Sequence, residues 1–197
     1  MAPDPDAALL LAFQGGDHAA FRVLFEKYGR AMVAFCHRFV RDSARAEELA
    51  QDVFLKLHAS AGAYRPTARF KTYLYRIATN HCLNELRRGE YAAARARERD
   101  PEGDDLERLP GDGATPEQHA AAAALGRAVE RLLASLPDKQ RAAFVLCRFE
   151  GLSYEEIAEA LGTSVSAVKS LVHRATVAAA EALAPFAPGG TGKEVAP

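Results

Sequence analysis

The chain has 197 residues, 49% hydrophobic and 26% charged, and its 25 Lys+Arg against 26 Asp+Glu give a formal net charge of -1. One or two small domains fit this length, and the near-neutral total means that any nucleic-acid role must come from segregated charge. The apolar run Ala7 to Phe13 is far shorter than the roughly 20 residues of a membrane helix and follows no basic residue, so neither a span nor a secretion signal is expected. Three scattered cysteines, Cys36, Cys82 and Cys147, form no CxxC pair and point to a reducing cytoplasm.

Along the first stretch Phe21, Leu24, Phe25, Tyr28, Met32, Phe35 and Phe39 recur at steps of three and four, which predicts one long helix with these residues as its buried stripe. Asp42 or Ser43 can cap the next helix, on which Leu49, Val53 and Leu57 repeat every four residues. Its opposite face carries Glu47, Glu48, Gln51, Asp52 and Lys56. Such an acidic face suits a protein partner or simple solvation. A third helix is predicted from Ala68 or Arg69 to beyond Leu86, with Phe70, Leu74, Ile77, Ala78 and Cys82 turned inward.

Tyr73, Arg76, Asn80, Asn84 and Arg87 share another face of that third helix, with Lys71 and Arg88 at its margins. Rings stack on bases, amides bond base edges and guanidinium groups meet phosphates, so the strip suits single-stranded nucleic acid. A plain charged solvent face is the alternative. From Phe70 to Arg99 the basic residues outnumber the acidic ones, so the neutral total conceals a basic surface.

Glycine and proline then crowd between Pro101 and Pro116, and the stretch Asp100 to Gly113 holds six acidic residues and one basic. This composition predicts an extended or weakly ordered tether between two helical lobes. Beyond it, Thr115-Pro-Glu-Gln118 and Ser153-Tyr-Glu-Glu156 read as capping boxes. Leu136-Pro137 separates two helices, Gly151 ends the second, Gly162 stops a short third, and Ser164 caps a fourth that runs to about Leu183. Ile157, Ala158, Leu161, Gly162, Val165, Val168 and Val172 have helix-turn-helix spacing. Ser166, Ala167, Lys169, Ser170, His173 and Arg174 are left on faces that suit a major groove. A plain helical hairpin would share the spacing. The fold class is therefore all-α, two small helical domains joined by a flexible acidic linker, and the segment after Ala184 reads as a frayed tail.

Catalytic motifs do poorly. There is no HExxH, GxSxG or GxGxxG, and Gly192-Lys193 is followed by Glu194 where a phosphate loop needs a hydroxyl. His58, His81, His119 and His173 have no cysteine or histidine at ligand spacing. Neither enzyme activity, a metal nor a cofactor is expected.

Several blocks in fixed order, from about Leu9 to Ala184, resemble the bacterial sigma factors of the extracytoplasmic-function group. In the first lobe they are Gly16-Asp17-x-x-Ala20-Phe21, Ala46-Glu-Glu-Leu-Ala-Gln51-Asp52-Val-Phe54, and Phe70-Lys-Thr-Tyr73 through Asn80 and Asn84 to Arg87-Arg88. In the second they are Leu136-Pro137-x-x-x-Arg141, Gly151-Leu-Ser-Tyr-Glu-Glu-Ile-Ala158, and Val168-Lys169-Ser170 with His173-Arg174-Ala175.

The resemblance implies region two at residues 7–95, a linker at 96–115, region four at 116–184 and a tail at 185–197. It implies a subunit that binds core RNA polymerase, at the clamp coiled coil and the flap, and opens promoter DNA. Glu47, Glu48, Gln51, Asp52 and Lys56 would meet the polymerase. Tyr64, Arg65, Phe70, Lys71, Tyr73, Arg76, Asn80, Asn84, Arg87 and Arg88 would handle the melted minus-ten element, the Tyr64 to Arg69 segment capturing a flipped base. Ser164, Ser166, Ala167, Lys169, Ser170, His173 and Arg174 would read the duplex minus-thirty-five element. The linker would thread toward the RNA exit path, an anti-sigma factor is an implied partner, and no further C-terminal domain is expected.

Two positions depart from the family pattern: Tyr73 stands where tryptophan is usual, and Leu171-Val172 replaces a common Arg-Leu pair. Two other classes stay open at this point. One is a helix-turn-helix regulator working without polymerase, which would bind a palindromic duplex autonomously. The other is an interaction module that has lost its DNA contacts.

Overall fold

The computed structural model describes residues 4–95 and 116–186, with side chains described outside 90–95 and 116–118. Among the described residues every regular element is helical. The predicted linker, the Thr115 cap and the tail beyond 186 lie outside them.

The first lobe contains four helices. α1 (Pro5–Gln14) starts with Asp4 as N-cap and proline in its first turn, where the missing amide costs nothing. α2 (His18–Val40) is capped by Asp17, which accepts from the amides of Ala19 and Ala20. α3 (Ser43–Ser60) is capped by Asp42 through the Arg45 amide at 2.7 Å, which decides between the two candidate caps. A 3-10 turn, Ala61–Ala63, leads to the segment 64–69 and then to α4 (Phe70–Arg95). Leu24, Met32 and Phe35 meet Leu49, Val53 and Leu57 and then Phe70, Leu74 and Cys82 in a fully enclosed core. Phe25 departs from the predicted stripe: it is 47% exposed and lies edge-on to Phe54 at 4.8 Å. Its position at the margin of the α2 stripe turns it out over α3 rather than inward.

The second lobe contains α5 (Pro116–Ser135), α6 (Asp138–Arg148), α7 (Tyr154–Leu161) and α8 (Val165–Leu183). α6 ends three residues earlier than Gly151 suggested. Phe149 caps it, and Gly151, with φ +66°, belongs to the connection onward. The Ser153 capping box forms in both directions with Glu156. Gly162 takes φ +59°, a left-handed value that glycine adopts without a Cβ clash. The short connection lets α8 fold back across α6 and α7, burying Ile157, Ala160, Val168, Val172 and Ala175.

The lobes pack directly on one another, with α7 along α4 and with α5 and α6 against α2. Arg141 ties them: its buried guanidinium donates to the carbonyls of Leu136 at 3.2 Å and Phe39 at 3.1 Å. One bond closes the α5–α6 corner and the other reaches the end of α2. The Glu150 carboxylate, on the α6–α7 connection, accepts from the Tyr75 hydroxyl of α4 and faces the Arg38 guanidinium of α2 at 3.5 Å. Lys71 donates to the Glu150 carbonyl, and Arg38 lies over the Phe149 ring at 4.3 Å.

Candidate nucleic-acid interface

α4 presents the predicted strip on its outer side. Tyr73 is half-buried, its hydroxyl donating to Ser60 Oγ at 2.9 Å, and Arg76 lies over its ring at 5.1 Å. The Tyr64 ring stands 4.9 Å from Tyr73, tilted at 54°. The result is two tilted tyrosine rings beside a guanidinium, with Tyr64 buried and Tyr73 half-buried, and aromatic and guanidinium groups are the ones on which unpaired bases stack. Asn80, Asn84, Arg87 and Arg88 follow along the exposed side, with the Asn84 side-chain carbonyl accepting from Arg87.

Two hollows flank this strip. The smaller, of 190 Å³, lies under the segment 64–69 and is walled by Tyr64, Arg65, Thr67, Tyr73 and Arg76, with Glu159 of α7 completing it. The larger, of 340 Å³, lies between α3 and α4 beside Lys56, Ser60, Ile77, Asn80 and His81. His81 Nε2 is 3.0 Å from Asp52 Oδ2, which links the strip to α3.

Not every predicted residue stands at this surface. Phe70 is fully enclosed, its ring 5.4 Å from Tyr28, so its side chain serves the core. The inward periodicity of α4 already placed it there. Tyr64 is 3% exposed and contributes as pocket wall, and burial pushes its phenol pKa up. Lys71 faces the second lobe through its bond to Glu150. Arg65 is exposed and folds back to the Tyr64 carbonyl at 2.9 Å.

On α3, Glu47, Glu48, Gln51 and Lys56 are exposed and Asp52 is half-exposed. Arg45 pairs with Glu48 and reaches across to Glu85, and hydrogen bonding to Glu85 is the leading cause of its raised pKa. Apolar groups that the polar pattern hid complete this face. Leu55 is 67% exposed, and a 550 Å³ groove between α2 and α3 is lined by Phe25, Val33 and Phe54 beside Glu47 and Gln51.

On α8, Ser164 caps through the Ala167 amide at 3.2 Å. Ser166, Lys169, Ser170, His173 and Arg174 are exposed, and Ala167 is half-buried beneath them. Leu171, the departure from the usual arginine, is partly buried against the lobe's core. It stands there as packing rather than as a surface group.

The cysteines also have places. Cys82 donates to Cys36 at 3.7 Å, both fully enclosed, and that hydrogen bond together with burial raises the Cys82 thiol well above the usual range. No group of three or more metal-ligating side chains gathers among the described residues, and no described helix is long and apolar enough to cross a membrane.

The described residues form two helical lobes, one with the exposed polar and basic strip of α4 and one with the α7–α8 helix-turn-helix. Residues 24–90 match the family model described as Sigma-70 region 2, and residues 126–177 match Sigma-70, region 4. The RNA polymerase sigma-H factor of Pseudomonas aeruginosa is 35% identical, the match covering 93% of this chain and 96% of that protein. The ECF RNA polymerase sigma-E factor of Escherichia coli is 32% identical over 86% of this chain and 90% of its own. A solved structure, the sigma factor RpoE in complex with the anti-sigma factor NepR from Bartonella quintana, has the same fold. Its TM-score is 0.66 at 23% identity, covering 83% of this chain and 96% of that one.

The chain belongs to the sigma-70 family of RNA polymerase sigma factors, in its ECF group. It works as an alternative sigma factor, binding core RNA polymerase for promoter recognition and transcription initiation, and not as a regulator independent of polymerase. The family is one of non-catalytic initiation factors.

Proposed function

We propose a division of labour for this sigma factor. The 7–95 lobe takes the melted minus-ten strand on α4 and the 64–69 segment, and the 116–184 lobe takes the duplex minus-thirty-five element on α8. Residues 96–115 form the linker and 185–197 a tail. The observation that carries the reading is the Tyr64–Tyr73–Arg76 cluster, which walls the 190 Å³ hollow and is followed along the same helix by Asn80 and Asn84.

α3, with Glu47, Glu48, Gln51, Asp52 and Lys56 around Leu55 and the apolar groove, is the face for the polymerase clamp coiled coil. The second lobe also meets the flap. An apolar centre with a charged rim is the usual anatomy of a protein interface. The protein performs no chemistry of its own and acts in the cytoplasm. An anti-sigma factor is a further partner, supported by the similarly folded sigma factor solved with one.

The packed lobes are the resting form of the free chain. Glu159 stands in the wall of the hollow beside Arg76, so a strand entering there meets a carboxylate until α7 moves away. Polymerase would hold the lobes apart, and contacts weak in each lobe would then add.

Arg174→Ala tests the α8 assignment. A phosphate-contacting arginine supplies affinity without sequence preference, so the variant is expected to weaken holoenzyme binding to upstream duplex DNA uniformly across sequences. The slope of log affinity against log salt should flatten by about 1. Titrations at several salt concentrations that return an unchanged slope would remove Arg174 from the DNA surface.

A further inference from the structure

α1 lies before residue 24, where the match to the region 2 family model begins, yet its last residue reaches Tyr64, where segment 64–69 begins, and its N-cap reaches Phe70, the residue that directly follows the segment. At its C-terminal end Gln14 Nε2 donates to the carbonyl of Ala61 and, at 3.0 Å, to that of Tyr64. The Tyr64 carbonyl also accepts from Arg65, so three groups converge where the segment leaves the 3-10 turn. At the N-terminal end the Asp4 carboxylate divides its oxygens. Oδ1 accepts from the Asp6 amide at 3.0 Å and caps α1, while Oδ2 accepts from the Phe70 amide at 2.7 Å, the first residue of α4.

α1 is itself anchored. Asp6, 8% exposed, holds Lys27 Nζ at 2.6 Å and the Tyr28 hydroxyl at 2.6 Å, and Leu10 is fully enclosed. Burial and the bond to Asp6 drive the Tyr28 phenol pKa up, so the phenol remains a donor at neutral pH.

We propose that Gln14 and Asp4 are positioning residues for base capture: from the two ends of α1 they hold the two ends of segment 64–69 and thereby set the shape of the hollow that receives an extruded promoter base. This rests on the proposed role of that hollow. Between the two clamps the segment is irregular, with a single internal backbone bond from the Thr67 amide to the Arg65 carbonyl at 2.8 Å and an exposed Arg69–Glu156 pair at 3.9 Å, so what fixes its ends weighs heavily on its geometry. Extruding a base already costs a few kcal/mol of stacking and pairing. A pocket that must also be ordered at the moment of capture binds more weakly than one already formed. The Asp4 bond is charge-assisted and sits at a helix N-terminus, where a carboxylate is favoured.

The test uses holoenzyme on fork-junction DNA whose single-stranded non-template segment carries either normal bases or one abasic site, moved position by position. Wild type is expected to lose about tenfold in affinity when the captured base is missing, on the scale of one stacked base. Gln14→Ala and Asp4→Ala should reduce that ratio to about twofold or less while binding the abasic DNA as well as wild type does. Asp4→Asn, which keeps an acceptor oxygen, should recover most of the ratio.

If wild type discriminates at one position and both alanine variants keep the full ratio, the proposal is wrong. It is equally wrong if the variants lose affinity for both DNAs alike, since that is a general loss of structure. A wild type with no abasic-sensitive position would instead overturn the base-capture reading on which the proposal stands.

Discussion

Asn80→Ala is expected to reduce promoter opening by about ten- to a hundredfold, the scale of losing one well-made amide–base contact. Affinity for core polymerase should stay within about twofold of wild type, because truncating an exposed polar side chain away from special features changes stability little. Asn80 is exposed on α4, two turns beyond Tyr73, and lines the hollow between α3 and α4. Its neighbour Asn84 already accepts from Arg87, which leaves Asn80 as the amide best placed to meet a base edge. Asn80 immediately precedes His81, whose contact with Asp52 joins α4 to the α3 face, so the two assays must be run side by side. Permanganate reactivity of unpaired thymines reports opening, and fluorescence titration reports polymerase affinity. Equal losses in both would mean that Asn80 supports the α3–α4 pairing rather than the melted strand.

Glu150→Ala is expected to open the free chain. The carboxylate is 9% exposed and accepts from Tyr75 while facing Arg38, so one side chain of the second lobe holds two helices of the first. Removing it strands the Tyr75 hydroxyl in the contact, at a cost of about 1–3 kcal/mol. The ratio of closed to open molecules should fall by about ten- to a hundredfold. A donor–acceptor pair placed on the two lobes would read this as a fall in transfer efficiency for the variant without polymerase.

The same contact gives wild type a pH dependence. Burial, then the bond to Glu150, raises the Tyr75 phenol pKa above its ordinary value. A phenol whose folded pKa is raised contributes stability that is complete below its unfolded pKa of about 10 and is lost as pH rises through the folded value. Closure should therefore weaken above that pH, and Tyr75→Phe should flatten the response. A Glu150→Ala chain as closed as wild type would show that apolar packing of α7 on α4 suffices to hold the lobes together.

What could be read from the sequence divides along the range of the forces involved. The helix-turn-helix was legible because its punctuation is local. Ser153 with Glu156, Gly162 and Ser164 act within three residues of themselves, and each takes the conformation that its chemistry favours. The α4 strip was legible because helical periodicity fixes which residues share a face. α1 is illegible in the sequence because its short apolar run gives little amphipathic contrast, and because its consequential bonds, Asp4 to Phe70 and Gln14 to Tyr64, span 66 and 50 residues.

Nothing local foretold that Glu150 would meet Tyr75 and Arg38 across 75 and 112 residues, or that Cys36 and Cys82 would face each other. Phe25 shows the converse. Its spacing fits the buried stripe, but the stripe is wider than the surface α3 and α4 cover, so the marginal ring is left outside beside Phe54. Arg141 entered as a motif residue, and the structure gives it the task of joining the α5–α6 corner to the end of α2.

The most direct measurement is co-retention. The purified chain is mixed with sigma-free core RNA polymerase and a labelled fork-junction DNA carrying a single-stranded minus-ten segment, and the mixture is resolved by size exclusion. The account predicts a ternary peak that holds DNA retained by neither component alone, and predicts its loss when Tyr73 and Arg76 are both replaced by alanine. A chain that elutes apart from polymerase while binding duplex DNA by itself would contradict it.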